Sequence, residues 1–210
     1  MQLWSAVLLV SLVLLLPVSG AAGSPPNCDI ESYRLGSNGV RRMKKANLAG
    51  CDLTGAMLAD ADLHSADLTG AILDDADLRR ANLSRALLVE ASLDGVVLND
   101  AVLSHTDFAG AAFSRANLLF AIRMKRTNFA GATFEFTAIG GSILREVSFR
   151  GATITNSSLS GTVFMKADFE GATITSSSFL NCGYENSICP DGANSDDNGG
   201  NCFGHGIPEP

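Results

Sequence analysis

The side chains able to do chemistry are few and scattered. Three His stand at positions 64, 105 and 205, and five Cys at 28, 51, 182, 189 and 202. His64 and His105 have no Ser or Cys nucleophile at a matching spacing, and His205 lies in a Gly-rich tail. No nucleophile triad, phosphate loop, zinc pattern or dinucleotide fingerprint is present. Asp52, Asp62, Asp67 and Asp77 form a regular acidic row that could hold paired acid–base carboxylates. Nearby Arg79, Arg80 and Arg85 neutralise part of it, and a solvated face with local backbone bonding is the simpler reading. Asn194, Asp196, Asn198 and Gly199 match the start of a calcium loop, N-x-D-x-N-G. Its twelfth position would be His205 where a bidentate Glu is needed, and no helix pattern flanks it. The sequence therefore offers no catalytic residue, no cofactor site and no metal site.

Composition narrows the partners. The net charge is -7, with 46% apolar and 18% charged residues, so the chain is neither a polyelectrolyte tail nor a phosphate-binding surface. One Trp and two Tyr argue against an aromatic carbohydrate platform. The first 24 residues carry no charge, and the apolar run Leu3 to Leu16 is closed by Pro17 and small residues. Residues 1–22 read as a secretory signal, cleaved after Ala21 or Ala22, on a run too short for a membrane span of about 20 residues. An uncleaved anchor is the alternative. Export makes disulfides permissible. The mature chain is expected to be secreted or periplasmic, or lumenal in thylakoids if the source is photosynthetic.

The elements that must position everything else repeat every five residues from Ala46 onward. The stretch ANLAG-CDLTG-AMLAD-ADLHS-ADLTG-AILDD-ADLRR-ANLSR places a large apolar residue at each centre. These centres are Leu48, Leu53, Leu58, Leu63, Leu68, Leu73, Leu78 and Leu83, continuing through Phe108 and Phe113 to Leu118. A small residue, usually Ala, lies two positions earlier. Five residues advance a helix by about 500°, so the apolar positions would spiral around every face. A flat strand fails as well, because an odd step alternates faces. Both positions stay inside only if the chain turns a corner in every repeat.

The number of corners is legible too. FRGATITNSSL at Phe149 recurs as FEGATITSSSF at Phe169, 20 residues on, and Phe129 opens a related segment 20 residues earlier. Four pentapeptides per coil would stack Phe129, Phe149 and Phe169 on one face. A 15-residue offset between Leu53 and Leu68 reads as a local duplication. Leu118 to Phe129 is 11 residues where 10 would keep register, so the frame slips within 119–128, with Arg123 at the expected centre. A one-residue bulge accommodates it. Because loops on rigid scaffolds often carry recognition, Arg123, Lys125 and Arg126 at this slip form the candidate interaction patch.

The consensus A(N/D)LXX resembles the pentapeptide repeat family over residues 46–184. That resemblance implies an all-β fold, a right-handed quadrilateral parallel β-helix, here of about 6–7 coils from 26 repeat centres. Residues 23–45 would then be an N-terminal linker and cap, and 185–210 a C-terminal cap or tail. Gly two positions after a centre, as at Gly131, Gly151 and Gly171, suits a turn residue with positive φ. The alternate corners carry Phe136, Glu146, Asn156, Lys166 and Ser176 and are expected to avoid that conformation.

The tail beginning at Cys189-Pro190-Asp191-Gly192 and reaching Cys202 resembles a CPDG…C ending of exported pentapeptide proteins. A Cys189–Cys202 disulfide would close it, with Ile188 and Phe203 as its chief apolar residues. Cys51 and Cys182 occupy small inward positions and read as free, buried hydrophobes, a Cys28–Cys51 bridge across the front cap being the alternative. Arg41, Arg42, Lys44 and Lys45 read as the soluble face of the front cap. Asn82-Leu83-Ser84 and Asn156-Ser157-Ser158 are glycosylation sequons, of use only in a eukaryote.

The family includes DNA-mimicking proteins that bind gyrase. From Glu185 onward there are five acids and no Lys or Arg, while residues 25–184 hold seventeen acids against fifteen bases. A body so near neutral lacks the continuous negative field of a duplex. The function expected is a noncatalytic exported scaffold whose partner is a protein, with no nucleic acid, no stable membrane span after cleavage, and coil ends open to oligomerisation. A polysaccharide-active β-helix enzyme is the rival reading.

Overall fold

The computed structural model describes residues 26–33, 36, 39–121 and 124–208. The signal reading on 1–22 lies outside these residues. The described chain winds as a four-sided parallel coil. Two opposite sides carry regular strands, β1 (Ala112–Ser114) stacked with β3 (Thr133–Glu135), β5 (Thr153–Thr155) and β7 (Thr173–Thr175). The other sheet stacks β2 (Met124–Lys125), β4 (Ile143–Arg145), β6 (Val163–Met165) and β8 (Gly183–Glu185). Isolated parallel bridges carry the ladder elsewhere, as from Asp52 to Ile72 to Ser92 to Ala112. Each step is 20 residues before the slip, so four pentapeptides make one coil and the 15-residue match is a duplication.

Regular strands span four turns, and the bridges extend the stack well beyond them. The longest side runs Asn47, Asp67, Leu87, Asp107, Asn128, Ser148, Asp168, Ile188, eight levels among the described residues. That is slightly more than the six to seven coils expected. The ladder begins before the consensus does, because Arg42 bridges Asp62 and Met43 is fully buried at a repeat centre. At the far end Tyr184 and Cys189 take inward positions beyond the last consensus match.

The core is the column of centres. Leu48, Leu53, Leu58, Leu63, Leu68, Leu73, Leu78 and Leu83 are all 4% exposed or less. Phe108, Phe129, Phe149 and Phe169 stack down one side at centroid separations of 5.1, 5.2 and 4.9 Å. Phe113 and Phe134 stack on the adjacent side at 4.8 Å. Parallel rungs about 4.8 Å apart hold like residues above like, which suits flat rings. Where Thr or Ser replaces the small Ala, its hydroxyl donates to a carbonyl of the coil below, as Thr106 does to Leu83 at 2.9 Å. That bond makes burial of a hydroxyl tolerable.

The corners differ from expectation. Phe136, Glu146, Asn156, Lys166 and Ser176 all take positive φ, between 49° and 54°, just as the glycine corners do. Every corner must redirect the chain through the same angle, so the position rather than the residue sets the conformation. L-residues reach the left-handed well at about 1–2 kcal/mol. The frame slip is settled by Met124, which is fully buried and pairs with Leu144. The inward centre among the described residues is Met124; Arg123, the position expected from the unbroken frame, lies outside them.

Both ends are covered. Cys28 is bridged to Cys51, so Cys51 is not the free thiol expected, whereas Cys182 is. The Asn27 N–H donates to Asn47, and Arg41 is pinned to the Ile30 carbonyl at 2.9 Å and paired with Glu31. At the other end Cys189 is bridged to Cys202. The chain folds back so that Ile188 bridges Asn194 antiparallel, and Ser187 and Ser195 bond through backbone and side chain. A reversed strand thereby fills the open edge of the last coil, the place where another chain would otherwise add. Ile207, 2% exposed, supplies the buried apolar residue of this cap, while Ile188 stays half-buried.

Candidate functional site

Parallel register brings together residues far apart in sequence. Lys125 stands exposed on β2, directly beside Arg145 on β4, which in turn lies beside Met165 on β6. In the neighbouring outward column Ile143 lies beside Val163. Arg126 occupies the following corner and pairs with Glu146 one coil up. The Arg126 guanidinium, with help from the charges of Lys125 and Lys166, holds the Glu146 carboxyl below the usual range. Of the expected patch, the structure thus keeps Lys125 and Arg126 on one side and adds Arg145 and Lys166. Those two were missed although they follow from 20-residue steps, Lys125 to Arg145 and Arg126 through Glu146 to Lys166.

A half-open groove of about 500 Å³ lies beside this patch, lined among others by Phe120, Met124, Lys125, Gly141, Ile143 and Arg145. Phe120 is 61% exposed and Ile143 55% exposed. The Phe120 ring lies over Gly141, where an added Cβ would sit 2.6 Å from the ring. A smaller hollow of about 250 Å³ continues past Lys125 and Arg145 toward Glu146, Met165, Lys166 and Glu185. Lys125 and Arg145 wall both hollows.

The other expected chemistry is absorbed by structure. Asp52, Asp67 and Asp77 accept the backbone N–H two residues on, closing each turn. Arg79 binds Asp77, and Arg80 reaches Asp60 on the coil below at 2.7 Å. His64 Nδ1 contacts Ser65 Oγ at 2.9 Å, and among the described residues no carboxylate orients its other nitrogen. In the tail, Asp196 accepts the Asn186 N–H at 2.7 Å and Asn198 donates to the Asn194 carbonyl. The residues of the calcium-like motif are thereby spent on the cap. His205 Nδ1 meets Asp191 Oδ2 at 2.7 Å in the same cap. Among the described residues no group of three or more His, Cys, Asp or Glu is placed to hold a metal ion. No helix there is long and apolar enough to cross a membrane.

A four-sided parallel β-solenoid with small inward residues and stacked apolar centres defines a class of repeat protein. The pentapeptide repeats model matches residues 46–85, 81–118 and 142–179 in 8 copies, and the chain belongs to that family. Comparison with curated proteins finds no match. Among solved structures, the chain resembles HetL, a pentapeptide repeat protein involved in heterocyst differentiation regulation in Nostoc sp. strain PCC 7120. The two share 24% identity over 73% of this chain and 72% of HetL, with a TM-score of 0.35. QnrB1, a plasmid-mediated fluoroquinolone resistance protein, is 18% identical over 70% of this chain and 84% of its own, with a TM-score of 0.45. A pentapeptide repeat protein of the Arabidopsis thaliana thylakoid lumen is 24% identical over 54% of this chain and 68% of its own, with a TM-score of 0.23.

Proposed function

We propose that the chain is an exported, noncatalytic β-solenoid scaffold that presents one side of its coil to a protein partner. The observation that carries this is the β2–β4–β6–β8 side, where Phe120, Ile143 and Val163 are exposed beside Lys125 and Arg145. Met57, Ile72, Leu87 and Phe136 are exposed elsewhere on the coil, but on this side exposed apolar side chains adjoin two cations and a groove, the combination that favours an interaction surface. Two bridged cysteine pairs, one in each cap, support an oxidising compartment and so agree with the leader read in residues 1–22. A duplex-mimicking role draws no support, because Arg80, Arg115 and Arg150 neutralise Asp60, Asp94 and Glu170 across successive coils. For the polysaccharide-active alternative the carboxylates available at the second hollow are Glu146 and Glu185, and Glu146 is held in an ion pair with Arg126, which argues against its serving as a free acid or base.

Affinity capture from the envelope or culture fluid, combined with a glycan hydrolysis and lyase screen, tests the proposal. The expected result is a stoichiometric protein partner and no turnover. Reproducible turnover by purified protein would replace the scaffold with an enzyme.

A further inference from the structure

Phe120 is hard to explain by folding. Its corner backbone, φ 55°, is the one every corner of the coil takes, but its side chain is 61% exposed and fills no core position. The next coil places Gly141 above it, and that bare backbone gives the ring a flat seat. An exposed aromatic residue stacked on a glycine, next to exposed Ile143, forms a slot for an apolar side chain.

The charges beside the slot are equally one-sided. Lys125, Arg145 and Lys166 form no ion pair among the described residues, while Arg126 is paired with Glu146. The acids lining the adjoining hollow are Glu146 and Glu185, and the whole protein carries -7. The slot is therefore rimmed by a positive island on a negative molecule. Adjacent parallel rungs set Lys125 and Arg145 about 4.8 Å apart, close enough for both to engage one carboxylate or two neighbouring ones.

We infer that this side binds an acidic protein segment through an aromatic or aliphatic anchor seated between Phe120 and Ile143, with its carboxylates on Lys125 and Arg145. The inference rests on the scaffold reading and specifies the partner's chemistry. Opposite charge selects the segment and speeds its encounter, and the apolar anchor supplies the desolvated centre. A half-open hollow suits a protein segment lying against it better than a small molecule, which is normally buried over most of its surface.

A phage-displayed random dodecapeptide library selected on the full mature protein tests this. The enriched peptides should combine Glu or Asp with an aromatic or large aliphatic residue. Fluorescence anisotropy of a selected peptide should show binding weakened by about tenfold or more in the Lys125→Glu/Arg145→Glu variant. Phe120→Asn, which keeps a residue suited to the left-handed corner, should weaken it severalfold without lowering the melting temperature. Thr133→Glu on the opposite side should leave binding unchanged. Enrichment without acidic bias, or binding indifferent to both groove variants, would overturn the assignment. Tighter binding to phosphatidylserine vesicles or to single-stranded DNA than to the selected peptide would overturn it too, as would self-association abolished by the same variants. Peptides that bind elsewhere on the rod would leave the scaffold standing while removing this face from it.

Discussion

At the scale of single residues, spacing between coils is the tightest constraint. Gly140 has no positive φ to justify it, yet an added Cβ would lie 2.8 Å from the Ser160 carbonyl oxygen of the next coil. Gly151 has φ 62° with open space around it. Gly140→Ala is therefore expected to cost about 1–3 kcal/mol by forcing two coils apart. Gly151→Asn should stay within about 0.5 kcal/mol, since Asn156 and Asn181 already hold the same corner conformation. Denaturant unfolding of the two variants decides this, and equal losses would mean that corner strain, not coil spacing, governs glycine here. The sequence showed which glycines turn corners because they recur at fixed offsets from the repeat centre. It concealed that Phe136, Glu146 and Lys166 turn the same way, because a corner imposed by its neighbours leaves no mark on residue type.

At the scale of elements, the caps are held by covalent closure where apolar surface is scarce. The C-terminal cap buries Ile207 and sets Phe203 edge-on to Tyr184 at 6.2 Å, with Cys189–Cys202 closing the loop. Cys202→Ser should cost about 3 kcal/mol by the loop-entropy estimate and promote end-to-end association, read by thermal melting and light scattering. An unchanged variant would show that the antiparallel pairing of Ile188 with Asn194 is sufficient alone. Surface ion pairs, three of them between coils and Arg79–Asp77 within one repeat, add a dependence on acid. Hydrogen bonds from Arg80, Arg79, Arg115 and Arg126 hold Asp60, Asp77, Asp94 and Glu146 below their ordinary values. Their stabilisation is complete above the unfolded carboxyl range of about 4 and is lost as pH falls through the lowered folded values. The melting temperature should therefore be flat from pH 8 to 5 and fall below about pH 4, by less at high salt. A fall between pH 7 and 5 would contradict this account. The tail pairing was visible as a recurring ending, whereas Cys28–Cys51 stayed ambiguous because linear spacing cannot say how the front chain returns over the first coil.

At the scale of the molecule, a rod with four sides and two closed ends differs most from one side to another. The repeat made the architecture readable, since a period of five with a recurrence at 20 admits few solutions. The same regularity hid the candidate surface. Lys125 stood out at the slip, but Arg145, Ile143 and Phe120 look like ordinary outward residues until the coil stacks them beside it. The central claim is that this side, and not the rod as a whole, meets the partner. Site-specific photo-crosslinking in the cells that make the protein tests it most directly, with a benzophenone side chain at Ile143 or at Ile72 on the opposite side. A discrete protein adduct from position 143 and none from position 72 is the expected result. Equal adducts from both, or an adduct from position 72 alone, would contradict it.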